Sequence, residues 1–428
     1  MRRHLLAIAI ASLPLSVAAE GFFTLKGHGG PIMSIAVSET DRIATASFDN
    51  AVGLWGDNGT PEWLDGHEAA VNIVHFAGDR IASGADDYTV RLWPGGAVIG
   101  RHQGKVMALA DNGQILASAS WDGTIGLWPL GGGEGRMLRG HASGVNALAF
   151  SGDGARLYSA STDGTLRVWD VATGMETRQV LSHGFGINEM ILNEADGWIA
   201  YGAVDGVTRI VDAQSGDRIA DFTLERRPIL SMTLSPDRSQ LAVGDGEGFI
   251  MVIDTAEWRI TRDFRATQRG PIWALAFSRD GQNIHAGGLD PVLYSWPVET
   301  LTEHDRMGGS EQSFLRDPAE MDNGERQFQR KCSICHTLTG STARRAGPTL
   351  AGLFGRRAGT VADYIYSDTL DGSDIVWNET TIDALFDEGP DHYIPGSKMP
   401  MQRITNATDR DDLIAFLRQA TQEKETDK

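Results

Sequence analysis

Over most of its first three hundred positions the chain alternates apolar and polar residues in short runs, the period-two pattern of half-buried β-strands. Val145, Ala147, Leu148 and Phe150 form one such run, suited to an inner strand. The runs recur: a Gly-His pair is followed, roughly 26 to 28 residues after its His, by an aromatic residue that closes a strand. One copy holds Gly27-His28, Asp49 and Trp55, and the next holds Gly66-His67, Asp87 and Trp93. A third has His102, Asp122-Gly123-Thr124 and Trp128; a fourth has Gly140-His141, Asp163-Gly164-Thr165 and Trp169. The Asp-Gly pairs supply tight hairpins between strands. Three later copies are weaker. The fifth keeps His183 and Asp205-Gly206 but has Val211 in the aromatic place, and the sixth, Ile229 to Ile253, has Glu247-Gly248 and no His. The seventh, Pro271 to Trp296, keeps Asp290 and Trp296 and lacks the His. Repetition at this period predicts like units of short strands, seven in number because no sequence remains for an eighth. Phe22-Phe23-Thr24-Leu25 precedes the first Gly-His, where the outer strand of a preceding unit belongs, so it is expected to complete the last unit and remove an open sheet edge.

These copies resemble the WD-repeat family of β-propellers, over roughly residues 21 to 297. The resemblance implies that each His, turn Asp and Trp joins a buried hydrogen-bond network with a strand hydroxyl. Five of the eleven histidines hold the blade position, each in its own blade, so a metal site shared among them is not expected.

From Val298 to Pro318 the pattern lapses into a polar stretch that reads as a linker. Beyond it lies Cys332-Ser333-Ile334-Cys335-His336, the spacing of c-type haem attachment, which zinc sites and redox dithiols also use. The flanks add Gly324-Glu325-Arg326-Gln327-Phe328, Gly347-Pro348-Thr349-Leu350, Gly352-Leu353-Phe354-Gly355-Arg356 and Tyr393-Ile394-Pro395-Gly396-Ser397-Lys398-Met399. With these, residues 320 to 421 resemble class I, mitochondrial-type cytochrome c and its bacterial relatives. The resemblance implies an all-α domain holding one covalent haem c through Cys332 and Cys335, with His336 and Met399 as axial ligands to the iron. It further makes the Pro348 carbonyl the group that orients His336, Tyr366 and Trp377 the donors to a haem propionate, and Arg356 the balance to its charge. Met399, following Pro-Gly-Ser-Lys, is expected to ligate in preference to Met401. Gly324 and Phe328 on a first helix are expected to cross Leu413 and Phe416 on the last. Two positions depart from the family: Phe386 stands where a Tyr commonly reaches the ligand sulfur, and Asp391 and His392 replace lysines of a positive docking face.

The expected fold is therefore multidomain, an all-β seven-bladed propeller over residues 20–297, a linker over 298–318 and an all-α cytochrome c domain over 319–428. A length of 428 residues agrees with two cores, and 51 glycines with only 15 prolines agree with many tight turns. Residues 1–19 read as an export signal: Arg2 and Arg3, an apolar run from Leu5 to Val17 too short to span a bilayer, and a small-residue cleavage site before Glu20. That implies a periplasmic protein with no membrane insertion after cleavage, in a compartment that permits disulfides. Cys332 and Cys335 are nevertheless the only cysteines. A net charge of −19, spread through both domains, argues against nucleic acid and anionic membranes as partners.

With both axial positions filled, the expected function is single-electron transfer, the propeller docking a redox protein partner. The alternative makes the propeller a catalytic or substrate-binding domain of a periplasmic oxidoreductase with the cytochrome as electron outlet. Against it, the histidines outside the blade position include His75 and His285, which are strand residues. A haem-based sensor or scaffold is a third reading.

Overall fold

The computed structural model describes residues 21–56, 59–226, 228–307, 318–340, 344–362 and 364–422. The expected export signal over 1–19 and the linker residues 308–317 lie outside them.

Alternation and turn chemistry produce seven four-stranded antiparallel sheets, in six of which the strands follow one another in chain order. The seventh is composite. Phe23–Lys26 lies beside Val292–Pro297 with Phe23 opposite Ser295 and Leu25 opposite Leu293. Both ends of the repeat region thus share one sheet, and the ring has no open edge where it begins and ends.

The fourth blade, Val145–Phe150, Arg156–Ser161, Thr165–Asp170 and Glu176–Ser182, shows what holds a sheet together. Trp169 Nε1 donates to Ser159 Oγ at 2.8 Å, and the Ser159 hydroxyl reaches His141 Nε2 at 2.8 Å. His141 Nδ1 then donates to Asp163 Oδ2 at 2.9 Å, and Asp163 also accepts from Ala142 N and Thr165 N. Every donor meets an acceptor when the imidazole is neutral with its proton on Nδ1. The same relay runs through Trp55, Thr45, His28 and Asp49 in the first blade and Trp93, Ser83, His67 and Asp87 in the second. In the third, His102 Nδ1 meets Thr124 Oγ1 at 2.9 Å and Asp122 at 3.5 Å. Neighbouring blades are tied at their inner strands. Asn146 Nδ2 donates to Ile187 O, Asn188 Nδ2 to Ile229 O and Asn72 Nδ2 to Val106 O.

The weak copies fold as blades without the full relay. Tyr201 takes the place of the relay serine in the fifth blade, its hydroxyl 3.4 Å from His183 Nδ1, and Val243 takes it in the sixth. In the seventh that place is Ala286, which offers no acceptor, and Trp296 Nε1 donates instead to Asp305 O at 3.0 Å. Residues 298–307, read from the sequence as the opening of a linker, are therefore packed on the propeller. Leu301 and Met307 are 2% and 1% exposed in the cluster around Trp296, and Met307 exchanges backbone hydrogen bonds with Ala266 and Gln268. Two apolar residues spaced six apart in a polar run leave no periodic signal.

The remaining described residues hold four α-helices joined by loops. α1 (Asn323–Lys331) buries Gly324, Gln327 and Phe328 on one face, and α4 (Ala407–Ala420) buries Arg410, Leu413, Ile414 and Leu417. They cross where a Cβ on Gly324 would collide with the Asp412 carbonyl, and Phe328 packs on Phe416 with ring centroids 5.7 Å apart. α2 (Glu379–Glu388) begins at a capping box of Asn378 and Thr381 and ends at Gly389, whose φ of 94° suits glycine. α3 (Pro390–Tyr393) follows at once, and Arg410 ties α4 to Asp383 and Asp387 of α2 at 2.6 and 2.9 Å.

Two outcomes are expected of the blade relay. Ser159→Ala strands both the Trp169 N–H and His141 Nε2, so it should lower stability by about 2 to 4 kcal/mol in a chemical denaturation curve, whereas Val243→Ala, outside any relay, costs only packing. Burial holds His102 and His141 below the ordinary imidazole value, so the unfolded chain binds more protons there. These two histidines therefore contribute stability that is lost as pH drops below about 6.5, while Glu189, pushed by burial up to about 8, favours the folded chain as pH falls and opposes them. At Asp87 and Asp163 burial pushes the carboxyl up, and the hydrogen bonds from His67 and Thr165 among others outweigh it and hold both well below the usual range. A further loss is thus expected below about pH 4. Thermal midpoints at pH 7, 5 and 3 of a Glu189→Gln chain, which lacks the opposing carboxyl, check the order; a midpoint that rises from pH 7 to 5 in that chain contradicts it.

Candidate functional site

α1 ends in the Cys-x-x-Cys-His segment. Cys335 N and His336 N both donate to Cys332 O, at 3.0 and 2.9 Å, so the motif coils tightly on from the helix and brings both thiols and the imidazole to one wall. His336 Nδ1 donates to Pro348 O at 2.7 Å, which assigns the proton to Nδ1 and leaves Nε2 as the free nitrogen. Gly347, whose N–H donates to Cys335 O, passes so close to the ring that a Cβ there would collide with the imidazole. Burial keeps His336 below the ordinary value and pushes the thiols of Cys332 and Cys335 up to about 12 and about 11. All three are neutral at pH 7.

These groups line one cavity. Leu353, Ile382, Leu385, Phe386, Ile394 and Leu417 make its apolar walls. The eight site residues expected from sequence all line it: Cys332, Cys335, His336, Pro348, Arg356, Tyr366, Trp377 and Met399. Met401 does not line it and is 54% exposed.

Polar groups gather in one part of the lining. Arg356 and Trp377 are paired through their backbones, and the Arg356 guanidinium donates to Ala351 O and Thr349 O. Among the described residues no carboxylate lies within ion-pair reach of it, and burial lowers its pKa. Tyr366 Oη accepts from Val361 N at 3.3 Å. Sequence reasoning missed Tyr364, whose ring meets Tyr366 edge-on at 4.8 Å and whose hydroxyl donates to Ala346 O, and Ser367, whose buried Oγ has no hydrogen-bond partner among the described residues. Their sequence signal was their neighbourhood to Tyr366, which alone does not say which way a loop side chain turns.

A half-buried cation without a counter-charge and an unsatisfied hydroxyl, set in an apolar cavity with two neutral thiols and an imidazole nitrogen, suit a large apolar ligand that carries anionic groups on one side and a metal at its centre. Zinc is a poorer match, since it wants four ligands and among the described residues no three His, Cys, Asp or Glu side chains converge on one point. Elsewhere, His285 is buried in the seventh blade and pushed down to about 4 by that burial, and His75 bonds Asp111 at 2.8 Å near the surface.

Comparison with known proteins agrees with both halves. The family described as WD domain, G-beta repeat matches residues 21–56, 60–94, 97–129 and 132–170, the four blades that carry the full relay or its near equivalent. The family described as cytochrome c matches residues 321–421. Cytochrome c of Sesamum indicum is 40% identical over 105 residues, covering 24% of this chain and 93% of the relative. That of Cochliobolus lunatus is 44% identical over 100 residues, covering 23% and 90%, and that of Arabidopsis thaliana 42% over 100 residues, covering 23% and 87%. The cytochrome c match implies a haem cofactor, and the cavity lining fits one. Through residues 321–421 the chain belongs to the cytochrome c family, and it joins that domain to a seven-bladed WD-repeat propeller.

Proposed function

We propose that this protein is an exported, periplasmic single-electron carrier whose haem is attached covalently through Cys332 and Cys335, one per chain, and whose propeller docks a redox protein partner. The observation that carries the reading is the convergence of both thiols, the His336 imidazole and Met399 on one apolar cavity. When bound there, haem supplies a reversible one-electron iron couple. The chain's own residues do the rest. The Pro348 carbonyl fixes the imidazole so that Nε2 would be free to hold the iron, and Met399 would offer its thioether to the same metal. Arg356, Ser367, Tyr366 and Trp377 offer charge and hydrogen bonds to propionates, while Phe386 and the leucines exclude water. Phe386 has no hydroxyl to offer the ligand sulfur, which removes one means of tuning the potential. Asp391 and His392 are exposed and lie 3.2 Å apart, a weakly charged surface unlike a lysine-rich docking face.

Docking by the propeller draws support from exposed apolar side chains at one end of it. Trp121 and Val204 precede the turn aspartates of the third and fifth blades, Phe185 follows His183 by two residues, and they are 53%, 40% and 58% exposed. Trp121 is oriented by Asn146 and Lys105. Large exposed apolar residues set among polar ones suit a protein contact.

Acid-acetone treatment of the purified holoprotein should leave haem on the polypeptide, and Cys332→Ala or Cys335→Ala should weaken that retention; full extraction from the unaltered chain contradicts covalent attachment. Met399→Ala should abolish the weak far-red absorption band of thioether-ligated ferric haem, while Met401→Ala keeps it. The reverse result reassigns the ligand. Mass spectrometry of protein recovered from periplasm should give an N-terminus at Glu20, and an intact Met1 sinks the export reading.

A further inference from the structure

The segment that follows the haem motif returns to the propeller. Arg344 places its guanidinium over the Trp63 ring, 4.6 Å from the centroid, and pairs with Asp65. Its Nε lies 3.9 Å from the relay carboxylate of Asp49. The next residue, Arg345, donates to the backbone carbonyl of Gly29, and a side chain at Gly29 would collide with the Arg344 carbonyl. Four kinds of contact, an ion pair, a cation over an aromatic face, a hydrogen bond to a carbonyl and a close backbone approach, therefore fall on one spot at the rim of the first blade.

The receiving residues Trp63 and Asp65 are not repeated in the next two blades. The outer strand Pro61–Asp65 puts Trp63 against Trp55 and His28, at 5.9 and 4.8 Å between ring centroids, so the indole is held ready by the relay itself. The corresponding outer strands Ala97–Arg101 and Arg136–Arg139 of the next two blades carry no aromatic residue and no acid. Opposite charges meet: two arginines on one side, Asp49 and Asp65 on the other. The donor side sits at a functional edge, since Gly347, two residues beyond Arg345, bonds the Cys335 carbonyl. Arg345 also lies near enough to Cys335 for its charge to act on that thiol, so the contact falls beside the Cys335 side of the cavity.

We propose that the cytochrome domain docks on the first blade of its own chain's propeller through Arg344 and Arg345, and that this contact shields the Cys335 edge of the cavity. The haem domain is then held at the same end of the propeller as Trp121, Phe185 and Val204, which stand on the third and fifth blades and stay exposed for a partner. That arrangement deepens the proposed division of labour: a partner captured by the propeller meets the haem domain at short range, and release of two arginines controls when the Cys335 edge opens. A contact built on exposed charges weakens with salt, over a Debye length of about 10 Å at 0.1 M.

The test uses the full-length holoprotein in size-exclusion-coupled small-angle scattering, with hydrogen exchange of peptides covering residues 27–30 and 344–350. At low salt the unaltered chain should show a radius of gyration near the value of about 22 Å for a compact chain of this length. Asp65→Lys and Arg344→Glu should each enlarge it by several ångströms and speed exchange in both peptides several-fold, with the haem spectrum unchanged. The charge-swapped pair Asp65→Lys with Arg344→Glu should return toward the original size. If neither single substitution changes size or exchange, or if protection appears only as the mass doubles with concentration, intramolecular docking is wrong. The readout does not depend on electron transfer, so loss of docking and loss of the carrier function are separate results.

Discussion

The hydrogen bond from His336 Nδ1 to Pro348 O is the constraint around which the haem domain is arranged. An imidazole has two nitrogens, and committing one proton donor to a buried carbonyl decides what the other can do. To make that bond, the chain after Cys335 must turn back over the ring, which only a glycine at 347 permits. To hold the ring in place, α1 must be seated, and it is seated by the close crossing with α4 at Gly324. A contact far from the cavity thereby governs the position of a group inside it.

The propeller solves a related problem by repetition. Each full blade buries a His whose two nitrogens are both satisfied, by a turn Asp or Thr and by a strand hydroxyl that also accepts from a Trp. Where the hydroxyl is lost, the structure compensates locally. The seventh blade recruits the Asp305 carbonyl for Trp296, and so draws ten residues beyond the last strand into the fold. The first blade adds something more: its relay packs against Trp63, the platform on which Arg344 rests. The network that stabilises a blade also preorganises a surface.

Burying charge is costly, and the two domains meet that cost differently. In the blades, buried aspartates receive several hydrogen bonds each and stay ionised. In the haem domain, the Arg356 guanidinium bonds backbone carbonyls and, among the described residues, meets no carboxylate, which suits a site whose counter-charge belongs to a cofactor. Arg410, by contrast, finds two aspartates of its own domain and serves as a tie between helices.

Much of this was legible in the residues. Period-two alternation and turn Asp-Gly pairs determine strands and hairpins, because each depends on neighbours within one repeat, and the recurring His and Trp gave the relay through the resemblance to WD repeats. The Cys-x-x-Cys-His spacing likewise determines that two thiols and an imidazole share one turn. The tertiary structure alone decided which loop residues face the cavity, as with Tyr364 and Ser367, because loops have no period that orients side chains. It alone decided that Leu301 and Met307 belong to the propeller, since their burial depends on a groove made by residues far back in the chain. It also decided where Arg344 and Arg345 go. A run of two arginines reads the same whether it faces water or an indole and two carboxylates some 280 residues earlier, and only folding brings those partners together.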